Sequence, residues 1–151
     1  MGDYAAYYAA RAQLKLGRFK DARLGFSAIA ANAVTGYLSE AALLGEAEAA
    51  EAGRDHAAAR RIYEHLLTRS PMAPDHVWLR LGRASLAAGD RLRAIEAFRH
   101  GQQYYPLSPS YSAFTSELSR LDAMEPLVPG NARYRGEMAR ADLLFAAARY
   151  Q

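Results

Sequence analysis

The sequence contains no cysteine, so it can build neither a disulfide nor a thiolate metal site. Valine is also scarce, with Val34, Val77 and Val128 the only examples, while alanine is abundant, a balance that favours helices over strands. No stretch approaches 18 consecutive apolar residues, which excludes a membrane span. The first residues also lack the basic and then apolar run of a signal peptide.

A strong excess of one charge is absent as well. The formal net charge is +3, and the basic residues alternate with Asp and Glu along the chain. Arg60-Arg61 and Arg91 with Arg93 are the densest basic spots, and both are expected on solvated outer helix faces. Nucleic-acid binders usually concentrate Lys and Arg on one face, so no nucleic-acid partner is expected.

Motifs for catalysis, metals and cofactors are missing too. The four histidines fit no HExxH or other ligand spacing, and no GxGxxG run, P-loop or GxSxG elbow is present. Glu46, Glu48 and Glu51 share one predicted helix, where solvated surface is the default interpretation. We therefore expect no catalytic residue, no metal and no cofactor in this chain.

What the sequence does contain is an internal repeat. Gly17, Gly53 and Gly89 lie 36 residues apart. Alanine follows each glycine five residues later and a bulky apolar residue nine residues later, at Ala22, Ala58 and Ala94 and at Phe26, Ile62 and Phe98. A fixed period of this size is typical of supersecondary units that bury their apolar faces against one another in a solenoid.

The third unit resembles the tetratricopeptide repeat, whose pattern runs W-x2-L-G, then a turn glycine, then A-x3-F and P. The matching residues are Trp78, Leu81, Gly82, Gly89, Ala94, Phe98 and Pro106. The resemblance implies an all-α fold, a right-handed α-solenoid of antiparallel helix pairs with about seven to eight helices. The side chains themselves agree with this fold. Gly82 allows close approach of the two helices, Ala94 is small enough to touch the first helix, and Pro106 ends the second helix.

We predict one helical repeat domain over residues 1–151. Its units are expected at about 3–34, 38–71 and 75–106, followed by divergent helices at 110–122 and 131–148 with a loop at 125–130 between them. Both ends look cut, because residues 148–151 resemble the turn into a second helix that is missing. The sequence is therefore predicted to be a segment of a longer protein.

The second unit matches the repeat pattern least well. Ala42, Gly45 and Glu46 stand where W, L and G are expected. Its second helix is expected to carry one extra residue, because Pro71 lies 18 residues after Gly53 whereas the equivalent spacing in the third unit is 17.

The resemblance implies that first helices line a concave groove, where exposed positions would bind a protein or peptide. Tyrosine and arginine dominate such surfaces because they combine large apolar area with directional hydrogen bonds. Tyr7 either contacts a ligand or packs against a preceding layer. A carboxylate clamp, as in co-chaperone repeats, is not expected because Glu48 stands where a basic or amide group is needed. The predicted groove residues are Tyr4, Tyr8, Arg11, Lys15, Glu48, His76, Arg80 and Arg83.

Three segments resemble the N-terminal superhelical region of bacterial soluble lytic transglycosylases. They lie at residues 3–19, 104–109 and 140–150, and the second carries Tyr105-Pro106-Leu107-Ser108-Pro109. This resemblance implies a periplasmic or cell-envelope location near peptidoglycan, with any cleaving domain beyond Gln151, because the catalytic motifs of that family are absent here.

Three functions stay open. The leading hypothesis is a non-catalytic tetratricopeptide scaffold for protein–protein interaction, from a bacterial cell-envelope protein. The first alternative is the superhelical region of a lytic transglycosylase, where the groove would take a peptidoglycan glycan beside a catalytic domain outside this chain. The second alternative is a peptide-binding module of the cytoplasm.

Overall fold

The computed structural model describes residues 2–32, 36–124 and 130–148, and these residues form an all-α helical solenoid of eight helices. Successive helices pack against each other from α1 through α7. The helices are α1 (Gly2–Lys15), α2 (Phe19–Asn32), α3 (Tyr37–Ala52), α4 (His56–Thr68), α5 (Pro74–Ala87), α6 (Arg91–Tyr104), α7 (Tyr111–Met124) and α8 (Gly130–Ala148).

Short turns fold α1 onto α2, α3 onto α4 and α5 onto α6, so each pair is an antiparallel hairpin. The two helices predicted beyond the third unit are also present, as α7 and α8. The predicted loop at 125–130 lies outside the described residues except for Gly130. The predicted turn at residues 148–151 lies outside them except for Ala148. No helix in the described part of the chain is both long and apolar enough to cross a membrane.

The three hairpin turns share one hydrogen-bond pattern, which fixes how the repeats align. In each turn the residue before the second helix donates its amide to a carbonyl five residues earlier, as in a Schellman motif. These bonds run from Arg18 to Gln13, from Asp55 to Ala50 and from Asp90 to Ser85, with N···O distances of 2.9, 2.8 and 2.9 Å.

The left-handed residue of this motif is Gly17 (φ 75°) in the first turn and Gly89 (φ 83°) in the third. In the second turn it is Arg54 (φ 62°), while Gly53 has φ −78°. The prediction that Gly53 is equivalent to the other two glycines is therefore wrong by one residue. Counted from Arg54, Pro71 comes 17 residues later, the same spacing as in the third unit.

The one-residue shift changes which side chains of α4 form the core. Ala59 and Tyr63, both 0% exposed, occupy the places of Ala22 and Phe26 in α2, so the earlier assignment of Ala58 and Ile62 is corrected. The predicted extra residue in the second helix is absent, because α4 has 13 residues against 14 in α6. Instead α3 has 16 residues, two more than α5.

Helix starts and close contacts hold each hairpin together. Asp55 and Asp90 cap α4 and α6 by accepting hydrogen bonds from backbone amides three residues later, at Ala58 and Arg93, each over 3.1 Å. The Phe98 ring lies directly against Gly82, as the predicted close approach of α5 and α6 requires. Ala22 and Ala94 are both fully buried.

The seven helices from α1 to α7 form two layers with the apolar core between them. The odd-helix face consists of α1, α3, α5 and α7, and the even-helix face consists of α2, α4 and α6. Phe26, Tyr63, Phe98 and Phe114 are the largest rings in the core and are all 0% exposed. The core therefore continues from one hairpin to the next.

Candidate functional site

The predicted groove residues are on odd helices, and three of their arginines form ion pairs with a neighbouring odd helix. Arg11 of α1 donates to Glu48 of α3 over 2.7 Å. Arg80 of α5 donates to Glu51 of α3. Arg11 and Arg80 are thus each matched by a carboxylate of α3, and each pair ties one hairpin to the next.

A third pair extends this arrangement toward α7. Arg83 of α5 donates from Nε to Glu117 over 2.9 Å, although half of its own side chain stays exposed. Glu117 also accepts from Arg120, one turn further along α7, over 2.7 Å. Arg83 therefore shares its carboxylate partner and keeps part of its guanidinium open to solvent.

In the described part of the chain, the odd-helix face carries an α1–α3 cavity and an α3–α5 cavity. The α1–α3 cavity measures about 190 Å³ and combines two tyrosines, three charged side chains and three small or apolar residues. Its lining residues are Tyr7, Arg11, Tyr37, Glu40, Ala41, Leu44, Gly45 and Glu48.

Burial raises the pKa of Tyr7, while Arg11 lowers it and Glu48 and Tyr37 raise it further. The hydroxyl of Tyr7 therefore stays protonated at neutral pH and remains a hydrogen-bond donor. Its ring packs edge-on to Phe26, with centroids 5.6 Å apart, which fixes one wall of the cavity to the core.

The α3–α5 cavity measures about 340 Å³ and is lined by Glu51, His56, Arg80, Arg83, Ala84 and Ala87. Arg80 also contacts Tyr63, whose ring centroid is 5.7 Å from the Arg80 guanidinium carbon. Burial and the adjacent Glu51 carboxylate raise the pKa of Tyr63, so its hydroxyl stays neutral. Arg80 is thereby held between the Glu51 carboxylate and the Tyr63 ring.

The cavities gather only some of the predicted site residues. Arg11 and Glu48 line the first cavity, and Arg80 and Arg83 line the second. The other four, which line neither cavity and are exposed, are Tyr4, Tyr8, Lys15 and His76.

Three polar lining residues, Tyr37, Glu40 and His56, were not among the residues predicted from the sequence. Tyr37 begins α3 and Glu40 lies one turn later, whereas His56 begins α4. Tyr37 and Glu40 line the same cavity as Tyr7 and Arg11 because of how α3 packs on α1, and the sequence contains no local signal for that packing.

The expectation that Arg60-Arg61 and Arg93 lie on a solvated outer helix face is only partly right, because Arg61 is exposed whereas Arg60 and Arg93 form ion pairs. Arg60 of α4 donates to the capping carboxylate of Asp90 over 2.5 Å, and Arg93 of α6 donates to Glu64 over 2.9 Å. Arg23 of α2 makes the corresponding contact with the capping Asp55 over 2.7 Å. These arginines join successive hairpins.

The three glutamates of α3 also differ from the expected solvated surface. Glu48 and Glu51 are paired across helices, as described above. Glu46 points to the opposite side, toward α2 and α4, with 14% of its side chain exposed. Burial raises the pKa of Glu46, against the lowering effects of Arg23, His65 and Ser27.

An aromatic stack joins α5 to α6. The rings of Trp78 and His100 are stacked, with centroids 4.0 Å apart, and Tyr104 lies on the other side of His100 at 4.4 Å. Burial lowers the pKa of His100, and the nearby Arg93 lowers it further. His100 is thus a packing residue in a neutral stack rather than a free surface histidine.

Within residues 2–32, 36–124 and 130–148, no three His, Asp or Glu side chains are arranged to hold a metal ion. The sequence matches no model of a known protein family and no curated protein. The candidate site is therefore described by its own geometry alone, as two cavities lined largely by side chains of odd helices.

Proposed function

We propose that this protein is a non-catalytic interaction scaffold whose odd-helix face binds a polypeptide partner. The observation that carries the proposal is the pair of cavities on this face, both lined by tyrosine, arginine, glutamate or histidine side chains fixed on helices. Arginine and tyrosine are the residue types that dominate protein interaction surfaces. The resemblance of residues 78–106 to a tetratricopeptide repeat supports the same function.

The charges of the odd-helix face favour a polypeptide over a polyanion. Arg11, Arg80 and Arg83 are each engaged by a carboxylate, so little uncompensated positive charge is left for phosphates. A surface with paired charges of both signs is suited to a chain that also carries both signs. Exposed ion pairs are worth only about 0–1 kcal/mol, so a partner's charges can exchange with them.

The cell-envelope setting is part of the proposal and rests on the three segments that resemble lytic transglycosylase superhelical regions. The gene that encodes this chain tests it. A leader sequence upstream supports the envelope, whereas a lysozyme-like domain downstream of Gln151 would support the alternative of a glycan-cleaving enzyme's helical region.

A selection from a random peptide display library tests the scaffold function directly. The wild-type protein is the bait, and each recovered peptide is then measured against two triple variants. The odd-face variant carries Tyr8→Ala, Tyr37→Ala and Arg83→Ala, and the even-face control carries Leu92→Ala, Tyr104→Ala and Arg61→Ala, all at positions with exposed side chains.

We expect the odd-face variant to lose at least about tenfold in affinity, equal to about 1.4 kcal/mol, and the control to bind like wild type. Equal melting temperatures of the two variants would show that binding, not folding, is being compared. Recovery of no peptide, or loss of binding in the even-face control alone, would contradict the proposal.

A further inference from the structure

The hairpin turn between α1 and α2 places basic side chains around an exposed leucine. Lys15 ends α1, Arg18 precedes α2 and Lys20 lies in the first turn of α2, and all three side chains are exposed. Leu16, which lies among them, is 71% exposed. In the described part of the chain, a Cβ added at Gly17 would meet no atom within 4 Å, so the tip of this turn projects into solvent.

The α3–α4 turn adds a fourth cation next to the first turn. A Cβ added at Gly53 would lie 3.4 Å from the Cβ of Phe19, so the second turn packs directly against the start of α2. Arg54 follows Gly53 and is exposed, which brings its charge near the two cations that flank Phe19 in sequence. We call the resulting surface the basic turn edge, and its residues are Lys15, Leu16, Arg18, Lys20 and Arg54.

In the part of the chain that the structure describes, the cations of the basic turn edge are not neutralised by carboxylates. No ion pair there involves any of the four. Two carboxylates of these turns, Asp55 and Glu51, are already paired with arginines of other helices, and Asp21 is the remaining one. Four cations against Asp21 leave an excess as large as the formal net charge of the whole chain, which is +3.

The combination of cations with a projecting leucine indicates the chemistry of the partner. The positive charge complements a surface that is rich in anions. Leu16 is stabilised by leaving water, and neither the phosphates of a nucleic acid nor the carboxylates of an acidic peptide offer it an apolar environment. An anionic membrane offers both, because its charged headgroups cover an apolar layer. Neither cavity described above is lined by a residue of the basic turn edge, which projects where a peptide groove would recede.

We infer that the basic turn edge docks on the surface of an anionic lipid membrane. Leu16 enters the boundary between headgroups and acyl chains, and the four cations bind the headgroup phosphates around it. The long stems of lysine and arginine can lie along this boundary while their charged ends stay among the headgroups. None of these residues is changed in the odd-face variant of the peptide selection, so this inference and the proposed function stand or fall separately.

A fluorescent label at the leucine position tests the docking directly. The chain contains no cysteine, so Leu16→Cys supplies a single attachment point for an environment-sensitive dye. Leu107→Cys is the matched control, because Leu107 is 66% exposed and lies in the connection between α6 and α7, at the opposite end of the hairpins.

The labelled proteins are titrated with vesicles of equal parts phosphatidylglycerol and phosphatidylcholine. We expect a saturable blue shift of the dye at position 16 and no shift at position 107. Vesicles of phosphatidylcholine alone should shift neither label, because they lack the net negative charge. Equal shifts at the two positions, or no shift at position 16, would overturn the inference.

Charge-matched variants test the role of the cations. One variant carries Lys15→Gln, Arg18→Gln and Lys20→Gln, and its control removes three exposed charges at other places through Arg69→Gln, Arg99→Gln and Arg120→Gln. Each cation close to an anionic leaflet strengthens binding about fivefold, so vesicle sedimentation should show about a hundredfold weaker binding for the first variant. The control should bind like wild type, since salt screens distant charges. Equal losses in both variants would overturn the inference.

A competition assay distinguishes a membrane from a soluble polyanion. Single-stranded DNA and polyglutamate are each added to the vesicle-bound protein at the same charge concentration as the lipid, and neither should displace it. Leu16→Ser should weaken vesicle binding about threefold to tenfold, because part of the transfer free energy of leucine is lost, and Leu107→Ser should not. Displacement by either polymer, or unchanged binding of Leu16→Ser, would show that the edge binds polyanions through charge alone and would overturn the inference.

Discussion

An arginine occupies a backbone conformation that glycine holds at the two equivalent turns. Arg54 has φ 62°, against 75° at Gly17 and 83° at Gly89. For a residue with a Cβ this region costs about 1–2 kcal/mol. The turn at Arg54 is therefore strained in its own backbone and is held by the Schellman hydrogen bonds and the Asp55 cap.

Exchange of the two residue types should change stability in opposite directions. Arg54→Gly is expected to stabilise the protein by up to about 1 kcal/mol, because relief of strain exceeds the added freedom of the unfolded chain. Gly89→Ala should destabilise it by about 1 kcal/mol through strain alone, since no atom lies within 4 Å of an added Cβ. Denaturant unfolding measures both, and stabilisation by Gly89→Ala would contradict the alignment of the turns.

The half-buried Glu46 should make stability depend on pH. Its pKa is raised from 4.5 by burial, so the folded protein resists ionisation of this group and is penalised at neutral pH. Glu46→Gln is expected to be more stable than wild type at pH 7. The difference should shrink as the pH falls through the raised pKa and vanish once the group is protonated in both states.

Thermal unfolding from about pH 4 to pH 8 measures this effect. Glu96→Gln is the matched control, because 66% of the Glu96 side chain is exposed. A Glu46→Gln protein that is less stable than wild type at pH 7 would show that the Arg23 and Ser27 contacts outweigh burial.

At the scale of the element, an aromatic ring of one helix packs against a glycine of the neighbouring helix. The glycine has no Cβ, so the two helices can approach closely. A Cβ added at Gly82 would overlap the Phe98 ring, and one added at Gly101 would overlap Phe114. The first contact closes the α5–α6 hairpin, and the second joins it to α7. Glycine in a helix lowers stability by about 1 kcal/mol relative to alanine, so the packing of each ring against its glycine should stabilise the protein by more than this amount.

Gly82→Ala should destabilise the protein by about 1–3 kcal/mol, although alanine is the better helix former. The matched control is Ala84→Gly in the same helix, which removes a buried methyl group without overlap. Phe98→Leu in the Gly82→Ala background should recover part of the loss by making room. Chemical denaturation measures these differences, and a more stable Gly82→Ala protein would contradict the close approach of α5 and α6.

The helices and turns were predictable from the sequence where a position of the repeat requires one particular kind of side chain. Trp78, Leu81, Gly82 and Phe98 fix the third hairpin because each fills a defined place in it. The second hairpin was misaligned because Gly53 looks like the turn glycine, whereas the structure puts Arg54 in that conformation. Sequence patterns cannot reveal an arginine under backbone strain, since its cost is offset by the rest of the fold.

At the scale of the whole molecule, arginine–carboxylate pairs link each hairpin to the next on both faces. Arg11 with Glu48 and Arg80 with Glu51 lie on the odd-helix face. On the even-helix face Arg60 pairs with Asp90. The partners are 29 to 37 residues apart in sequence, close to one repeat. The repeat pattern predicts which helices carry the arginines. Which carboxylate each arginine pairs with depends on how the hairpins stack.

The candidate site was predictable to the same extent. Membership of odd helices follows from the repeat, which is why the predicted residues Arg11, Glu48, Arg80 and Arg83 lie at the two cavities. The cavity around Tyr37 depends on how α3 crosses α1, and that crossing is set by side chains far apart in sequence.

Hydrogen exchange of the backbone amides, with and without the tightest peptide from the library selection, tests the central claim most directly. The account predicts that the bound peptide slows exchange along α1, α3 and α5, most strongly around Tyr37 and Glu48, while α2, α4 and α6 change little. Slowed exchange confined to the even helices would show that the binding surface is the opposite face and would contradict the account.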